Sequence, residues 1–121
     1  MQTILIVDDD PSILAAWKRI LKLEGYRVET ANDGRAGLSL AHNLEPDLII
    51  TDRSMPIMDG IEFCCCLKSV PTLAKIPVIL ASADYRATGG PPYWDELWQK
   101  PVSTDLMLAS IRRLTEVSRK S

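Results

Sequence analysis

The chain has 121 residues, of which 46% are hydrophobic and 25% charged, and this length allows one compact domain with a single core. Its formal net charge of -2 excludes the broadly basic surface that nucleic-acid backbones require, so we expect no direct nucleic-acid partner. No apolar stretch approaches the roughly 20 residues that span a bilayer, and we expect a cytoplasmic protein without a membrane partner.

Apolar runs alternate with amphipathic stretches, which predicts a repeated order of strand and helix. Short branched apolar runs without polar alternation are typical of strands covered on both faces, and they occupy residues 3–7, 48–51 and 77–82. Residues 26–31 alternate as a less buried strand does, and a short apolar piece around Leu97 and Trp98 indicates a last strand. This order predicts an α/β fold with a doubly wound parallel sheet.

Four helices are predicted between and after these strands. Asp10 caps the first helix, which carries Pro11 in its first turn and stops at Gly25. The others are expected over residues 34–44, over residues 60–69 and after a cap at Ser103 or Thr104. The polar residues 118–121 are expected to form a tail or linker stub beyond a domain of residues 1–117.

The cysteine and histidine residues are not spaced as metal ligands usually are. Cys64, Cys65 and Cys66 are consecutive, which suits neither a disulfide framework nor a zinc site, so we expect free thiols in a reducing compartment. Cys64 is expected in the core, and the other two point partly outward. The lone His42 is expected on the surface of the second helix.

Polar side chains follow the ends of four predicted strands. They are Asp8 and Asp9 after the first strand, Asp52 after the third, Ser82 after the fourth and Lys100 after the last. Because the carboxyl ends of parallel strands meet at one edge of a sheet, we expect these side chains to form a common site.

Three carboxylates at one edge repel one another, and a divalent cation relieves that repulsion. Mg²⁺ prefers oxygen ligands, so we expect Asp9, Asp52 and the backbone carbonyl of Ser54 to bind it directly. Asp8 is expected to act through a bound water. With the metal in place, Asp52 can attack a phosphoryl donor and form an acyl phosphate.

Other side chains are expected to surround the phosphoryl group. Lys100 and Ser82 would contact its oxygens and offset their charge. Ser54 and Asp84, each two residues after a functional neighbour, would flank the group and influence the water that hydrolyses it.

Four motifs in chain order resemble the receiver domains of two-component response regulators. An acidic pair follows the first strand in ILIVDDDPSI, and Asp52 stands in a D-x-x-M-P setting within DLIITDRSMPIMDG. Ser82 precedes a small residue in PVILASA, and Lys100 precedes Pro101. The resemblance covers nearly the whole chain.

This resemblance implies a flavodoxin-like fold, with a five-stranded parallel sheet in the order 2-1-3-4-5, and a requirement for Mg²⁺. It also implies a sensor histidine kinase or phosphotransfer protein as the donor to Asp52, and a downstream protein that reads the switched surface. The chain is then a signalling domain rather than an enzyme, although it promotes its own phosphorylation and dephosphorylation.

The segment between Ser82 and Lys100 departs from the family pattern. It is several residues shorter than usual and contains Thr88-Gly89-Gly90-Pro91-Pro92, whose glycines and prolines disfavour a helix by about 1 and about 3 kcal/mol each. We therefore expect the fourth helix to be lost or irregular, and the loop itself to carry the signal. Leu97 replaces the family's usual aromatic residue. Four nearby aromatic residues are expected to fill the core rather than bind a partner: Tyr85, Tyr93, Trp94 and Trp98.

Two other functions stay open. One is a receiver-fold module that binds its partner without phosphorylation, which the altered crossover suggests. The other is a phosphatase of the haloacid dehalogenase type, because Asp8, Asp10 and Ser12 match that family's D-x-D-x-T/S motif and Ser82 and Lys100 echo its later motifs. The short chain and the missing late acidic pair disfavour the phosphatase.

Overall fold

The computed structural model describes residues 2–83 and 93–120, the last four of them as backbone only. Within these residues a single sheet of five parallel strands is flanked by four helices. In chain order the elements are β1 Thr3–Val7, α1 Pro11–Leu23, β2 Arg27–Ala31, α2 Gly34–Leu44, β3 Leu48–Asp52, α3 Gly60–Lys68, β4 Val78–Ser82, β5 Glu96–Gln99 and α4 Thr104–Lys120. The strand order is β2-β1-β3-β4-β5, which confirms the order 2-1-3-4-5 that the resemblance implies.

The register of the central strands fixes which residues leave the sheet together. Val7 of β1 pairs with Thr51 of β3, and Ser82 of β4 pairs with Gln99 of β5. Every residue of β3 and β4 is buried, as is β1 beyond its first residue, because helices cover both faces of these strands. The next residues along the chain therefore emerge at one edge of a rigid sheet.

Two apolar clusters, one on each face of the sheet, hold the layers together. The first packs α2 and α3 against the sheet around Phe63 and Leu67, both fully buried. The second packs α1 and α4 around Leu21, Ile111 and Trp98. The Trp98 ring is only 1% exposed and meets the ring of Trp17 in α1 edge to face, with ring centroids 6.0 Å apart. These contacts join β5 to α1 and α4.

The helix ends follow the sequence closely. The Asp10 side chain accepts a hydrogen bond from the backbone N–H of Ser12 at 2.9 Å, which confirms the predicted cap of α1. Gly25 follows α1 with a φ of 94°, in the left-handed region that favours glycine. For α4 the cap is Ser103, whose hydroxyl accepts from the N–H of Leu106. α4 continues to Lys120 and enters the predicted tail, so the boundary at residue 117 stays a prediction.

The irregular fourth helix was predicted for a segment that lies mostly outside the described residues. Residues 84–92 are not among them, and neither Asp84 nor Tyr85 can be compared with its expectation. Of the described aromatic residues, Trp98 is buried, and Tyr93 and Trp94 pack partly buried against the core. The expectation of core filling is confirmed for Trp98, whereas Tyr93 and Trp94 contact the core and stay partly exposed.

The cysteines and the histidine lie as the sequence predicts. Cys64 is buried, Cys65 is exposed, and Cys66 is intermediate, each with a free thiol. His42 is exposed on α2. Among the described residues, no helix is both long enough and apolar enough to cross a bilayer.

Candidate functional site

The predicted site residues leave adjacent strands at the same edge of the sheet. Asp8 follows β1 and Asp52 ends β3, and the pairing of Val7 with Thr51 sets them side by side. Lys100 follows β5, and its backbone N–H donates to the carbonyl oxygen of Ser82 at 2.8 Å. The buried Ser82 therefore lies at this edge, next to Lys100.

Lys100 forms ion pairs with two of the carboxylates. Its Nζ lies 2.8 Å from Oδ1 of Asp52 and 3.1 Å from Oδ2 of Asp8. The side chains of Asp8 and Asp52 are 2% and 10% exposed, so water screens these pairs little. Burial alone would lower the pKa of Lys100, but the hydrogen bond and charge of Asp52, joined by those of Asp8, raise it overall. Lys100 therefore stays protonated and supplies a positive charge to the site.

Asp8 is held in an environment that opposes its charge. Burial, and to a lesser degree the negative charge of Asp52, raise the pKa of Asp8 above its ordinary value. The backbone N–H of Asp10, which donates to Oδ1 of Asp8 at 2.9 Å, and the ammonium of Lys100 act in the other direction. Because burial is the largest cause, the pKa of Asp8 stays raised despite the hydrogen bond from Asp10 and the charge of Lys100.

The donor atoms suit a hard divalent cation. Asp8, Asp9 and Asp52 each offer a carboxylate oxygen, and these oxygens lie within 4.8 Å of one another. Asp9 is exposed, while the other two are buried. An all-oxygen set with one side open to water fits Mg²⁺, which keeps several waters, better than metals that prefer nitrogen or sulfur. The three predicted acidic residues therefore come together as expected.

An open depression of about 430 Å³ lies beside the cluster, formed mainly by the loop between β3 and α3. Its lining residues are Asp9, Arg53, Ser54, Met55, Pro56 and Asp59. Ser54, the expected carbonyl ligand, is exposed here. Through Asp9, the depression connects the cluster to solvent.

Gly60 controls the path of this loop. Its N–H donates to the carbonyl oxygen of Arg53 at 2.8 Å, and a Cβ at this position would lie 2.2 Å from the carbonyl oxygen of Asp52. Only glycine allows the backbone to approach that closely. Sequence reasoning missed the roles of Gly60 and Arg53, although the glycine that ends the motif MPIMDG was an available signal.

The geometry also bears on the phosphatase alternative. Asp10, the second acid of the D-x-D-x-S match, is exposed and caps α1 through its bond to Ser12. It is absent from the three-carboxylate cluster found among the described residues. The position of Asp10 therefore does not support the phosphatase alternative.

Comparison with known proteins gives consistent matches. A family model described as the response regulator receiver domain matches residues 4–90. The chain is 37% identical over 113 residues to the response regulator MprA of Mycolicibacterium vanbaalenii, a match that covers 92% of this chain and 49% of that relative. The chain thus spans about half the length of the curated relatives it matches.

Two solved structures are similar along their whole length. The signal receiver domain of a signal transduction histidine kinase from Syntrophus aciditrophicus is 34% identical, with a TM-score of 0.90, covering 100% of this chain and 95% of that one. The response regulator protein TrrA of Thermotoga maritima, in complex with Mg²⁺ and BeF, is 28% identical with a TM-score of 0.86, covering 94% and 99%.

Proposed function

Because the chain belongs to the family of response regulator receiver domains, we propose that Asp52 accepts a phosphoryl group in a Mg²⁺-dependent reaction that switches a protein-binding surface. The observation that carries this proposal is the position of Asp52. Its carboxylate lies in the cluster with Asp8 and Asp9 and is paired at 2.8 Å with Lys100. A candidate nucleophile, candidate metal ligands and a charged lysine thus meet at one edge of the sheet, each at the end of a different strand or just after it.

Asp9, Asp52 and the carbonyl of Ser54 would hold Mg²⁺ directly, and Asp8 would hold it through water. TrrA, solved with Mg²⁺ and BeF, supports this choice of ion. When bound, the ion would offset the negative charges of the carboxylates and of the phosphoryl oxygens. Burial, and to a lesser degree the charge of Asp52, raise the pKa of Asp8, and a cation beside its carboxylate would stabilise the charged form.

In the transfer itself, a carboxylate oxygen of Asp52 forms a bond to phosphorus while the bond to the leaving group breaks with its electron pair. Lys100 already contacts Asp52, so its ammonium can also contact the phosphoryl oxygens and offset the negative charge that develops on them. The Ser82 hydroxyl is proposed as a further contact. Hydrolysis of the acyl phosphate would then depend on how Ser54 and Asp84 orient water.

The partners follow from the family. We propose a sensor histidine kinase or phosphotransfer protein as the donor, and a downstream protein that binds the switched surface. The domain would promote its own phosphorylation and dephosphorylation rather than turn over a substrate. Residues 1–117 are proposed as the functional unit.

Mass measurement after incubation with acetyl phosphate tests the acceptor. The wild-type chain should gain one phosphoryl group with Mg²⁺ present and none with a chelator, and Asp52→Asn should gain none. Asp10→Asn is the matched control, because it removes a neighbouring charge and keeps the cap of α1. Equal labelling of Asp52→Asn would refute the assignment. An unlabelled wild-type chain would favour a module that binds its partner without phosphorylation.

A further inference from the structure

Arg53, directly after the acceptor, has a side-chain nitrogen without a hydrogen-bond partner. Its Nε is the one buried side-chain nitrogen or oxygen without a hydrogen-bond partner in the described part of the chain. No ion pair involves its guanidinium within residues 2–83 and 93–116. Burying an unpaired donor costs free energy, so the folded chain alone gives no reason for this arrangement.

The surroundings of Arg53 indicate where a partner of its guanidinium would bind. It lines the depression beside the carboxylate cluster, together with Asp9 and Asp59, yet pairs with neither. Lys100 lines a different cavity, with Ile13 and Trp17. Lys100 is thus ion-paired to Asp52 and Asp8, whereas Arg53, the next residue along the chain after Asp52, has no ion pair in the described part of the chain.

A guanidinium stays charged and offers several N–H donors in a planar fork that suits carboxylate oxygens. Because Arg53 lines the depression, a ligand bound there can supply an acceptor for its guanidinium. The ligand that must approach Asp52 from solvent is the phosphoryl donor. Its leaving group is the part that remains on the solvent side when Asp52 attacks in line.

We propose that Arg53 contacts the leaving group of small-molecule donors and makes acyl phosphates the preferred donors among them. The inference rests on the proposed function of Asp52. As Asp52 bonds to phosphorus, the bond between phosphorus and the acyl oxygen breaks, and its electron pair stays on that oxygen. The leaving group departs as a carboxylate without needing a proton, and Arg53 stabilises the charge that develops on it.

Phosphoramidate provides the contrasting donor. Its nitrogen is already protonated, and when the phosphorus–nitrogen bond breaks the electron pair stays on nitrogen, which leaves as neutral ammonia. No negative charge develops on the leaving group, so Arg53 has nothing to stabilise. Comparing the two donors therefore distinguishes a contact of Arg53 with the leaving group from a general effect of Arg53 on the reactivity of Asp52.

The test compares rates of Asp52 labelling by the two donors at saturating Mg²⁺. Arg53→Gln should slow labelling by acetyl phosphate about tenfold, the effect of losing one charge-assisted hydrogen bond, and leave labelling by phosphoramidate within about twofold. Arg53→Lys, which keeps the charge and loses the fork, should recover part of the acetyl phosphate rate. Arg19→Gln, at an exposed arginine of α1, is the matched control and should change neither rate.

A binding measurement gives a readout without transfer. Beryllofluoride has no leaving group, so calorimetry should find its affinity, and that of Mg²⁺, undiminished in Arg53→Gln. Equal slowing with both donors, slowing in Arg19→Gln, or weaker beryllofluoride or Mg²⁺ binding would overturn the role of Arg53. Labelling of Arg53→Gln by phosphoramidate would show that Asp52 still works. If the wild-type chain accepts a phosphoryl group from neither donor, the proposed function fails and this inference fails with it.

Discussion

Replacing Lys100 by methionine removes the cation that now holds the carboxylate cluster together. Nζ of Lys100 contacts Asp52 at 2.8 Å and Asp8 at 3.1 Å, and both carboxylates are almost fully buried. Methionine keeps a long flexible side chain and most of its apolar contacts while it removes the charge. Asp8 and Asp52 would then face each other, with Asp9 nearby, without the pairing that the structure shows.

The expected loss of stability follows from these distances. At an effective dielectric constant of about 20, attraction at these separations is roughly 6 and roughly 5 kcal/mol, and desolvation of the charges offsets much of it. Removing one partner of a buried ion pair costs about 3–5 kcal/mol. Because the Lys100 side chain is 19% exposed, solvent screens part of this effect. We expect the free energy of unfolding to fall by about 2–4 kcal/mol at neutral pH without divalent ions.

The loss should depend on pH and on metal. Lys100 lowers the pKa of Asp8, so in the variant that pKa, already above its ordinary value, rises further. An acid with a raised pKa in the folded state regains stability as the pH falls through that pKa toward the unfolded value. Mg²⁺ should also reduce the loss, because it replaces the missing positive charge and binds the variant more tightly than the wild type.

Urea unfolding at neutral and mildly acidic pH, each with chelator or with Mg²⁺, measures these effects. Lys75→Met is the matched control, because Lys75 is exposed and has no ion pair in the described part of the chain; its effect should stay within about 0.5 kcal/mol. If Lys100→Met is as stable as Lys75→Met, or if its loss is the same under all four conditions, the reasoning from the cluster is wrong. Labelling of Asp52 should fall in Lys100→Met even though Mg²⁺ binds more tightly.

Three further predictions test other parts of the structure. Gly60→Ala places a Cβ against the carbonyl oxygen of the acceptor, so urea unfolding should show a loss of about 1–3 kcal/mol; unchanged stability would contradict the close approach. Asp10→Ala should lower the free energy of unfolding by about 1 kcal/mol, because it removes the cap of α1. Asp9→Ala should instead weaken Mg²⁺ binding in calorimetry, and equal Mg²⁺ affinities of the two variants would contradict this division of roles. Burial raises the pKa of the Cys64 thiol to about 12, so iodoacetamide at mildly alkaline pH should modify exposed Cys65 and spare Cys64, as peptide mapping can check.

Local chemistry explains why much of the fold could be predicted from sequence. Strands covered on both faces must be apolar throughout, so β1, β3 and β4 appear as short unbroken runs. The acidic residues follow those strands directly, so chain order alone brings Asp8 and Asp52 to one edge. The cap Asp10 is equally local, because its bond reaches only two residues along the chain.

Features that depend on tertiary distances could not be predicted in the same way. Nothing local indicates that Lys100 reaches both Asp8 and Asp52, or that Arg53 has a buried nitrogen without a partner. Either Ser103 or Thr104 could cap α4, and only the observed backbone selects the serine. The polar end of α4 continues as helix because neither glycine nor proline interrupts it before Lys120.

The edge-to-face contact between Trp17 and Trp98 gives this domain an optical property. Two indoles with centroids 6.0 Å apart and planes at 80° are close enough for their excited states to couple, and burial of Trp98 keeps that geometry fixed. Trp98 stands two residues before Lys100 on a short strand, so a shift of that lysine toward a phosphoryl group would be transmitted to the pair. Near-ultraviolet circular dichroism of the unlabelled protein should therefore follow occupancy of the site in real time.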